Sequence, residues 1–242
     1  MSETAAFAAA DINRRSDRQW LLCSSVRRKK LIIFVKAPRV GLVKSRLAAS
    51  LGSDGAAAAY RTLVETLLAN LTASRSEIPT IPHSALRTPH TIELRFTPDD
   101  AFAEIQSWLA PTWGASPQGP GNLGERMQRA FVQAFAAGAE RVVLIGSDCP
   151  TVTTDDIERA WQALATHDLV LGPATDGGYW LIGLAGARTA LFEKIRWSTE
   201  TVLQETLKRA ANLRLRVHLL SQRTDIDTEK EWQEFRRAQP GG

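Results

Sequence analysis

RVVLIGSDCP, residues 141–150, predicts the fold of this chain more directly than any other stretch. Val142 to Gly146 are apolar or glycine, a run too short for a helix and typical of a strand buried on both faces of a sheet. Ser147 and Asp148 follow this strand, and Pro150 ends it. In open parallel sheets ligands bind at the carboxyl ends of the strands, so Asp148 is placed at a predicted ligand site.

Asp148 is the main candidate for a metal ligand. A carboxylate held there can bind Mg²⁺ or Mn²⁺ and, through the metal, a substrate phosphate. The alternative is that Asp148 caps the next helix, although Thr153 and Thr154 lie closer to the predicted start of that helix. We expect Cys149 to be a small buried residue rather than a nucleophile, because a neighbouring carboxylate raises the pKa of a thiol.

A second candidate site follows the first predicted strand, Leu31 to Val35. The next residues are KAPRVGLVKSRL, in which Pro38 and Gly41 predict a loop and Lys44 and Arg46 stand in the first turn of a helix. Backbone N–H groups and the dipole at a helix start favour an anion, and the two cations would neutralise it. The pattern predicts a phosphate-binding loop, although it is not the GxxxxGK[ST] sequence of P-loops. The alternative is a solvated basic turn.

The rest of the chain alternates between helical and strand periodicity, as expected of one α/β domain. Helices are predicted at 56–71, 99–109, 121–138, 154–166, 199–210 and 228–237. Further strands are predicted at 91–96, 168–171, 181–184 and 213–220, and loops at 74–89 and 111–121. The length of 242 residues suits a single domain with a full core.

Positive charge is concentrated at the amino-terminal end. The first 30 residues hold seven of the 30 Lys and Arg but three of the 26 Asp and Glu, so the rest of the chain carries 23 of each. This balance argues against nucleic-acid binding, and no apolar run approaches the ~18 residues of a membrane span. Residues 1–29 have no signal-peptide core and no periodicity. We therefore expect a disordered basic tail at 1–29, or a translation start placed too early, and a cytoplasmic domain at 30–238.

Two glycine-containing segments are candidates for close approach of the backbone to a ligand. In GNLGERM, residues 121–127, the glycines either admit a ligand near Gly124 or make a tight turn. In LGPATDGGYW, residues 171–180, Gly177 and Gly178 suit a flexible floor under a small polar ligand. Asp176-Gly177 is also a standard hairpin dipeptide, so both interpretations stay open.

Six motifs, taken in order, resemble those of a known family: KAPRVGLVKSRL, GNLGERM, LIGSDCP, LGPATDGGYWLIGL, RWSTETVL and DIDT. They are similar to GT-A-type transferases of the nucleotide-diphospho-sugar transferase superfamily, in particular the radical-SAM/selenodomain-associated or arsenosugar-biosynthesis glycosyltransferases. The first motif also resembles the phospholactate guanylyltransferases and, more remotely, the molybdopterin nucleotidyltransferases. The resemblance covers residues 31–235 and implies a Rossmann-like GT-A domain with a mostly parallel central sheet and helices on both faces.

The resemblance also implies roles for individual residues. Those expected to bind the nucleotide are Lys36, Ala37, Pro38, Gly41, Lys44, Arg46 and Gly124. Asp148 and Asp227 are expected to bind Mg²⁺ or Mn²⁺, and Asp148, Lys44 and Arg46 are the expected catalytic residues. Those expected in the acceptor or sugar pocket are Asp176, Gly177, Gly178, Tyr179 and Trp197. The chain departs from the family pattern at Asn122, where an Asp is expected; an amide keeps the hydrogen bond but loses the charge.

The implied reaction is transfer from a nucleotide or nucleotide-sugar donor to a small-molecule acceptor. The family favours glycosyl transfer, in which metal and Lys/Arg charges stabilise a phosphate leaving group while the acceptor attacks in line. Nucleotidyl transfer is the alternative, because Gly146 stands where many GT-A glycosyltransferases have the first Asp of Asp-x-Asp, and because the Lys/Arg loop suits a triphosphate. A non-catalytic nucleotide-binding module is a third alternative.

Overall fold

A computed structural model describes residues 29–72 and 90–239. The predicted basic tail, apart from Lys29, and the predicted loop at 74–89 lie outside the described residues. Lys29 already belongs to the first strand. Across the described ranges, none of the helices combines the length and apolar character that a membrane span requires.

A seven-stranded sheet forms the centre of the described structure. Its strands are β1 (Lys29–Lys36), β2 (Thr91–Thr97), β3 (Gly114–Pro117), β4 (Arg141–Ile145), β5 (Leu169–Pro173), β6 (Tyr179–Leu184) and β7 (Val217–Leu219). They lie in the order β3-β2-β1-β4-β6-β5-β7. Of these strands β6 alone is antiparallel to its neighbours, β4 and β5, and every other pair is parallel. The predicted mostly parallel sheet is therefore confirmed.

Helices cover both faces of this sheet, which confirms the predicted α/β architecture. They are α1 (Ser45–Thr72), α2 (Phe102–Ile105), α3 (Leu123–Ala136), α4 (Thr154–Ala163), α5 (Val202–Asn212) and α6 (Glu229–Ala238), with 3-10 turns at Gln106–Trp108 and Thr189–Phe192. Tyr60 of α1 and Trp161 of α4 pack on one face, and Phe131 of α3 and Ala210 of α5 pack on the other. Helix α6 packs through Trp232 on the outer side of α1.

The starts of α3, α4 and α6 are set by reciprocal capping. In each, the N-cap side chain and the side chain three residues later bond to each other's backbone, which satisfies N–H groups that a helix start leaves unpaired. The pairs are Asn122 with Glu125, Thr153 with Asp156, and Thr228 with Glu231. Thr153 thus caps α4, and Asp148 is not needed as a cap.

Three predicted segments differ from the structure. The predicted loop at 111–121 contains the edge strand β3, which has too few apolar residues to show strand periodicity but pairs with β2. The predicted helix at 99–109 is reduced to α2 and one 3-10 turn, and the predicted strand at 213–220 is reduced to β7. In both segments apolar residues outside the regular element, such as Ala101 and Leu215, still pack against the core, so the apolar pattern marks burial rather than regular backbone geometry.

The amino-terminal parts of α1 and α5 also differ from the predicted helix ranges. Helix α1 begins at Ser45, where the first turn of a helix is predicted, and continues into the helix predicted at 56–71; the two parts are separated by Gly52, whose φ is 71°. Helix α5 begins at Val202 rather than residue 199, because Ser198 has a φ of 64° and the Thr199 hydroxyl donates to Arg196 O at 2.7 Å. A residue in the left-handed region cannot continue a right-handed helix.

Candidate functional site

The candidate site lies at one edge of the sheet as a result of the strand directions. Strands β1, β4, β5 and β7 end at this edge, and β6 begins there. The connecting segments that meet at this edge are 37–44, 146–153, 174–178 and 220–228. Parallel α/β sheets bind their ligands at this edge.

A cleft of about 190 Å³ opens between these segments. Its lining residues are Lys36, Val43, Lys44, Ser45, Arg46, Tyr60, Asp148 and Asp227. The structure therefore brings together the three cations predicted to bind phosphate and the two carboxylates predicted to bind metal. Sites that enclose a drug-sized ligand have volumes of roughly 300–1,000 Å³. The cleft thus matches the phosphate end of a nucleotide rather than the whole molecule.

Lys44 is the central residue of the cleft. Its Nζ lies 2.5 Å from Asp148 Oδ1 and 2.8 Å from Asp227 Oδ1, and its side chain is 3% exposed. Burial lowers the pKa of Lys44, but the two carboxylates outweigh that effect and the pKa is raised above its ordinary value. Lys44 is therefore charged, and it joins the segment after β1 to the segments after β4 and β7.

The loop that carries Lys44 is held in a defined shape. The Arg39 guanidinium lies 2.5 Å from Glu104 and 3.0 Å from Asp100, which fixes the loop to α2. Gly41 has a φ of 79° and Lys44 a φ of 50°. Left-handed backbone costs a non-glycine residue about 1–3 kcal/mol, so the contacts of the Lys44 side chain must stabilise it.

The predicted contribution of a helix dipole at this loop is small. Helix α1 departs from helical geometry at Gly52, so the segment that begins at Ser45 has about two turns. A short segment has few aligned peptide dipoles. Anion binding at the cleft therefore depends on the side chains of Lys36 and Arg46, which are exposed there.

Asp225 adds a third carboxylate close to the cleft. The Ile226 N–H donates to Asp148 O at 2.9 Å, which fixes the segment bearing Asp225 and Asp227 beside the end of β4. Within the described structure, the buried Oδ1 of Asp225 has no hydrogen-bond partner. Burial, followed by the charges of Asp148 and Asp176, raises the pKa of Asp225 to about 7. This end of the cleft thus holds more negative than positive charge.

The carboxylates fit a hard divalent cation that also binds substrate. Across residues 29–72 and 90–239, no group of three His, Cys, Asp or Glu side chains is placed to hold a metal alone. Mg²⁺ commonly uses one or two protein carboxylates and takes its other ligands from water and substrate phosphates. Asp148 and Asp227 supply such a pair of oxygen donors, and the unpaired Asp225 oxygen nearby favours additional positive charge.

The predicted acceptor residues Asp176, Gly177 and Gly178 lie in the turn of the β5–β6 hairpin, which confirms the hairpin interpretation of Asp176-Gly177. Gly177 has a φ of 89°, and a Cβ there would lie 1.9 Å from the carbonyl oxygen of Glu200. Its own carbonyl accepts from the Leu203 N–H at 2.9 Å. Asp176 Oδ1 accepts from the Gly178 N–H at 2.8 Å. Gly177 is therefore required by close packing of the turn against the start of α5.

Apart from the turn residues, six predicted residues are not among those lining the cleft: Ala37, Pro38, Gly41, Gly124, Tyr179 and Trp197. The Tyr179 hydroxyl is buried, and burial raises its pKa. Trp197 packs against Phe192 with ring centroids 6.3 Å apart. It also covers Gly124, where a Cβ would lie 2.1 Å from the indole Nε1. Packing of Trp197 thus accounts for the glycine, and ligand contacts of these residues stay predictions.

Asn122, the departure from the family pattern, acts as the cap of α3. Its side chain accepts from the Glu125 N–H at 3.1 Å, and its own N–H donates to the Glu125 carboxylate at 2.9 Å. Asn and Asp are about equally good N-caps, so the substitution preserves the helix start.

The sequence does not predict the positions of Tyr60 and Asp225 in the site. Tyr60 lies on the apolar face of α1 and has the pattern of a core residue; its hydroxyl group is the only signal of another role. Asp225 stands two residues before Asp227 in DIDT, so the paired carboxylates were the available signal.

Cys149 is buried and carries a free thiol. Burial, partly offset by a hydrogen bond with Thr151, raises the pKa of this thiol to about 11. The thiolate is the nucleophilic form of cysteine, so Cys149 is a poor nucleophile. The prediction of a small buried residue is confirmed.

The comparisons with known proteins agree with this geometry. A family profile described as "Uncharacterized protein conserved in bacteria (DUF2064)" matches residues 80–199. A search of curated proteins finds no match. A solved structure from Desulfovibrio desulfuricans G20, assigned to the nucleotide-diphospho-sugar transferases, is 33% identical and superposes with a TM-score of 0.73, covering 84% of this chain and 83% of that one.

Two more distant structures share the fold. One is a 4-diphosphocytidyl-2C-methyl-D-erythritol synthase from Anaerococcus prevotii DSM 20548, 12% identical, with a TM-score of 0.53 and coverage of 86% of this chain and 96% of that one. The other is a CMP:2-keto-3-deoxy-manno-octonic acid synthetase in complex with CTP, 8% identical, with a TM-score of 0.51 and coverage of 87% and 97%. The identity and coverage of the Desulfovibrio protein, together with the sheet and the motifs at its carboxyl edge, show that the chain belongs to the nucleotide-diphospho-sugar transferase family of GT-A-type enzymes.

Proposed function

We propose that the protein transfers a glycosyl group from a nucleotide-diphospho-sugar to a small-molecule acceptor, with Mg²⁺ or Mn²⁺ bound at the cleft. The observation that carries this proposal is the shared cleft, in which Lys36, Lys44 and Arg46 stand beside Asp148 and Asp227. A metal-bound diphosphate needs both kinds of group, because cations bind phosphate oxygens and carboxylates bind the metal.

The cations have different surroundings, which suggests different roles. Lys36 and Arg46 are exposed in the cleft, so their charges are accessible to the donor phosphates. Lys44 is buried between Asp148 and Asp227. It would therefore contact a donor phosphate at the point where that phosphate approaches the two carboxylates. Asp148 and Asp227 would hold the divalent metal, which when bound supplies positive charge to the diphosphate.

In the proposed reaction an acceptor oxygen forms a bond to the anomeric carbon of the sugar. The bond from that carbon to the diphosphate breaks, and its electron pair leaves with the nucleoside diphosphate, while the acceptor proton is released to solvent. The protein lowers the barrier by aligning the reactants and by stabilising the negative charge that develops on the leaving group. Lys36, Lys44 and Arg46 contribute this stabilisation.

The acceptor would bind on the side of the cleft nearest the β5–β6 turn. Asp176 lies close enough to Asp225 to affect the pKa of Asp225, which supports a location of this turn beside the carboxylates. Gly178, Tyr179 and Trp197 are the further acceptor-side residues that we propose from the motif pattern. Because these residues are packed against their neighbours, we expect the acceptor side of the cleft to be rigid.

The test is a binding and turnover assay with a panel of nucleotide-diphospho-sugars. Calorimetric titration with Mn²⁺ present should identify at least one nucleotide-sugar that binds. That nucleotide-sugar should be converted to nucleoside diphosphate when an extract containing small-molecule acceptors is added. Binding should fall at least tenfold when EDTA removes the metal. No binding of any nucleotide-sugar, with or without Mn²⁺, would contradict the proposal.

Nucleotidyl transfer is the second candidate, and one observation favours it. Gly146 replaces the first carboxylate of Asp-x-Asp, while three cations line the cleft, a charge distribution that suits a triphosphate. The released product separates the two reactions, because nucleotidyl transfer from an NTP yields pyrophosphate and glycosyl transfer yields a nucleoside diphosphate. Pyrophosphate release that depends on an acceptor would replace the first proposal by the second.

A further inference from the structure

One hydroxyl group connects the two halves of the cleft. Tyr60 lies on α1 below the cleft and is 1% exposed. Its Oη accepts a hydrogen bond from the Lys36 N–H at 2.8 Å and lies 2.8 Å from the Oγ of Ser147. Lys36 is the first residue of the segment 36–46, which carries Lys36, Lys44 and Arg46 and is called the cationic loop below. Ser147 immediately precedes Asp148.

The direction of one of these hydrogen bonds follows from the chemistry of the groups. A backbone N–H can only donate, so the Tyr60 oxygen accepts from Lys36. In the pair with Ser147 either hydroxyl can be the donor. Burial raises the pKa of Tyr60, so its hydroxyl stays protonated and available to this pair. Tyr60 thus accepts a hydrogen bond from one loop and shares a second with the other.

The position of the Tyr60 ring is also fixed. Trp108 contacts it edge-on, with ring centroids 6.5 Å apart and an interplanar angle of 72°. A buried aromatic ring in this arrangement has little freedom to move its hydroxyl. The hydroxyl is therefore a fixed point against which the Lys36 amide and the Ser147 side chain are both placed.

We propose that Tyr60 is a positioning residue, whose hydroxyl sets the separation between the cationic loop and Asp148. The inference rests on the proposed function, because that function requires phosphate-binding cations and a metal-binding carboxylate at a fixed distance. The competing explanation is that Tyr60 is a core residue whose ring packing is sufficient. The two explanations differ in what happens when only the hydroxyl is removed.

The experiment compares Tyr60→Phe, Ser147→Ala and the double variant with the wild-type chain. Nucleotide-sugar affinity is measured by calorimetry in the presence of Mn²⁺, and hydrogen exchange is measured at the Lys36 amide. Ser147→Ala loses one hydrogen bond, which corresponds to about 0.5–1.5 kcal/mol, so it should weaken binding roughly three- to tenfold. Tyr60→Phe loses that bond and also the acceptor of the Lys36 N–H, so it should weaken binding at least as much. The double variant should be no weaker than the weaker single variant, because both changes break the same bond.

Ser116→Ala is the control. Ser116 is half-buried on β3, and its hydroxyl donates to the Glu93 carboxylate at 2.5 Å, so the substitution removes one side-chain hydrogen bond outside the cleft. It should lower the thermal midpoint but leave affinity and Lys36 exchange unchanged.

The outcomes separate the two proposals. If wild-type protein binds no nucleotide-sugar, the proposed function fails and the role of Tyr60 fails with it. If wild-type protein binds but Tyr60→Phe and Ser147→Ala bind equally well, only the positioning role is overturned. Additive losses in the double variant would also overturn it, because they would show two independent effects. Faster Lys36 exchange in Tyr60→Phe together with weaker binding is the expected result.

Discussion

Two clusters of buried charge in this protein are built in opposite ways. In the Glu93 cluster, between β1, β2 and α3, one carboxylate contacts two cations, Lys30 and Arg95. In the Lys44 cluster, at the carboxyl edge of the sheet, one cation lies among the carboxylates of Asp148, Asp225 and Asp227.

The surroundings of the two clusters differ as much as their charges. The Glu93 side chain is 10% exposed, its carboxylate accepts from the Ser116 hydroxyl at 2.5 Å, and Arg95 donates to Gln133 at 2.6 Å. In the Lys44 cluster the side chains of Asp148 and Asp227 are 41% and 37% exposed. An enclosed cluster whose charged groups are paired and hydrogen-bonded serves the fold, whereas surplus carboxylate charge that faces a cleft is typical of a ligand site.

The largest effect is expected from Glu93→Gln, which tests whether the Glu93 cluster is structural. Removing one partner of a buried ion pair leaves uncompensated charge and destabilises a protein by about 3–5 kcal/mol. We expect a loss of free energy of unfolding on that scale in urea denaturation, with nucleotide affinity unchanged at temperatures where the variant is folded. A loss of affinity without a loss of stability would reverse the assignment of the two clusters.

Asp148→Asn tests the Lys44 cluster with the matching change from carboxylate to amide. We expect turnover to fall about a hundredfold or more at limiting Mn²⁺, because an amide is a poor ligand for a hard cation. Thermal stability should change far less than in Glu93→Gln, since the substitution also relieves repulsion among Asp148, Asp225 and Asp227. Wild-type turnover at limiting metal would show that Asp148 is not a metal ligand.

Lys44→Met removes the cation of the Lys44 cluster and keeps the side-chain volume. Loss of a charge-assisted contact should weaken nucleotide binding roughly tenfold. In the absence of nucleotide, the same variant should bind Mn²⁺ roughly tenfold more tightly, because a neighbouring positive charge has been removed. The two affinities are measured separately by calorimetry.

Arg46→Ala is the control for Lys44→Met, because Arg46 is exposed and lies in the same cleft. It should weaken nucleotide binding without tightening Mn²⁺ binding. If both variants leave every nucleotide affinity unchanged, the cationic loop does not bind phosphate.

The smallest expected effect is the acid dependence of stability contributed by Glu93. Burial raises the pKa of Glu93, but hydrogen bonds from Lys30 and Ser116 and the charge of Arg95 outweigh it, so the pKa lies below the ordinary value of 4.5. The unfolded chain therefore binds the proton first as the pH falls. The contribution is fully present above about pH 4.5 and is lost as the pH drops through the lowered pKa.

Thermal denaturation between pH 3 and 6 checks this dependence. The midpoint of the wild-type chain should fall more steeply with acid than that of Glu93→Gln, which cannot titrate at this position. Parallel curves for the two proteins would show that Glu93 does not contribute in this range.

The parts of the fold that follow from local pattern could be predicted from the sequence. The run Val142–Gly146 predicts a buried strand, and its end places Asp148, because apolar length and a following Pro are local signals. The cations Lys44 and Arg46 follow β1 in the same way. The Asp176-Gly177 turn indicates locally that β6 is antiparallel to β5. The other partner of β6 is not local, and no pattern in Tyr179–Leu184 indicates that it pairs with β4.

The missed part of the site depends on contacts between distant residues. Tyr60 meets Lys36 and Ser147 across 24 and 87 positions of the chain, and periodicity alone assigns it to the core. The burial of Lys44 between two carboxylates is likewise a tertiary result; composition alone suggests an exposed basic turn. The sequence indicates that the backbone at Gly177 is closely approached, but it does not show whether the neighbour is Glu200, as in the structure, or a ligand.

The ion pair between Lys44 and Asp227 joins residues 183 positions apart. During synthesis the chain emerges from the ribosome amino end first. Most of the domain is therefore translated before Asp227, the second carboxylate partner of Lys44, is available. Closing so long a loop is slow relative to local contacts, so the cleft should be among the last parts of the protein to form. A nascent chain that ends before DIDT carries the cationic loop but lacks Asp227, one of the two carboxylates that pair with Lys44.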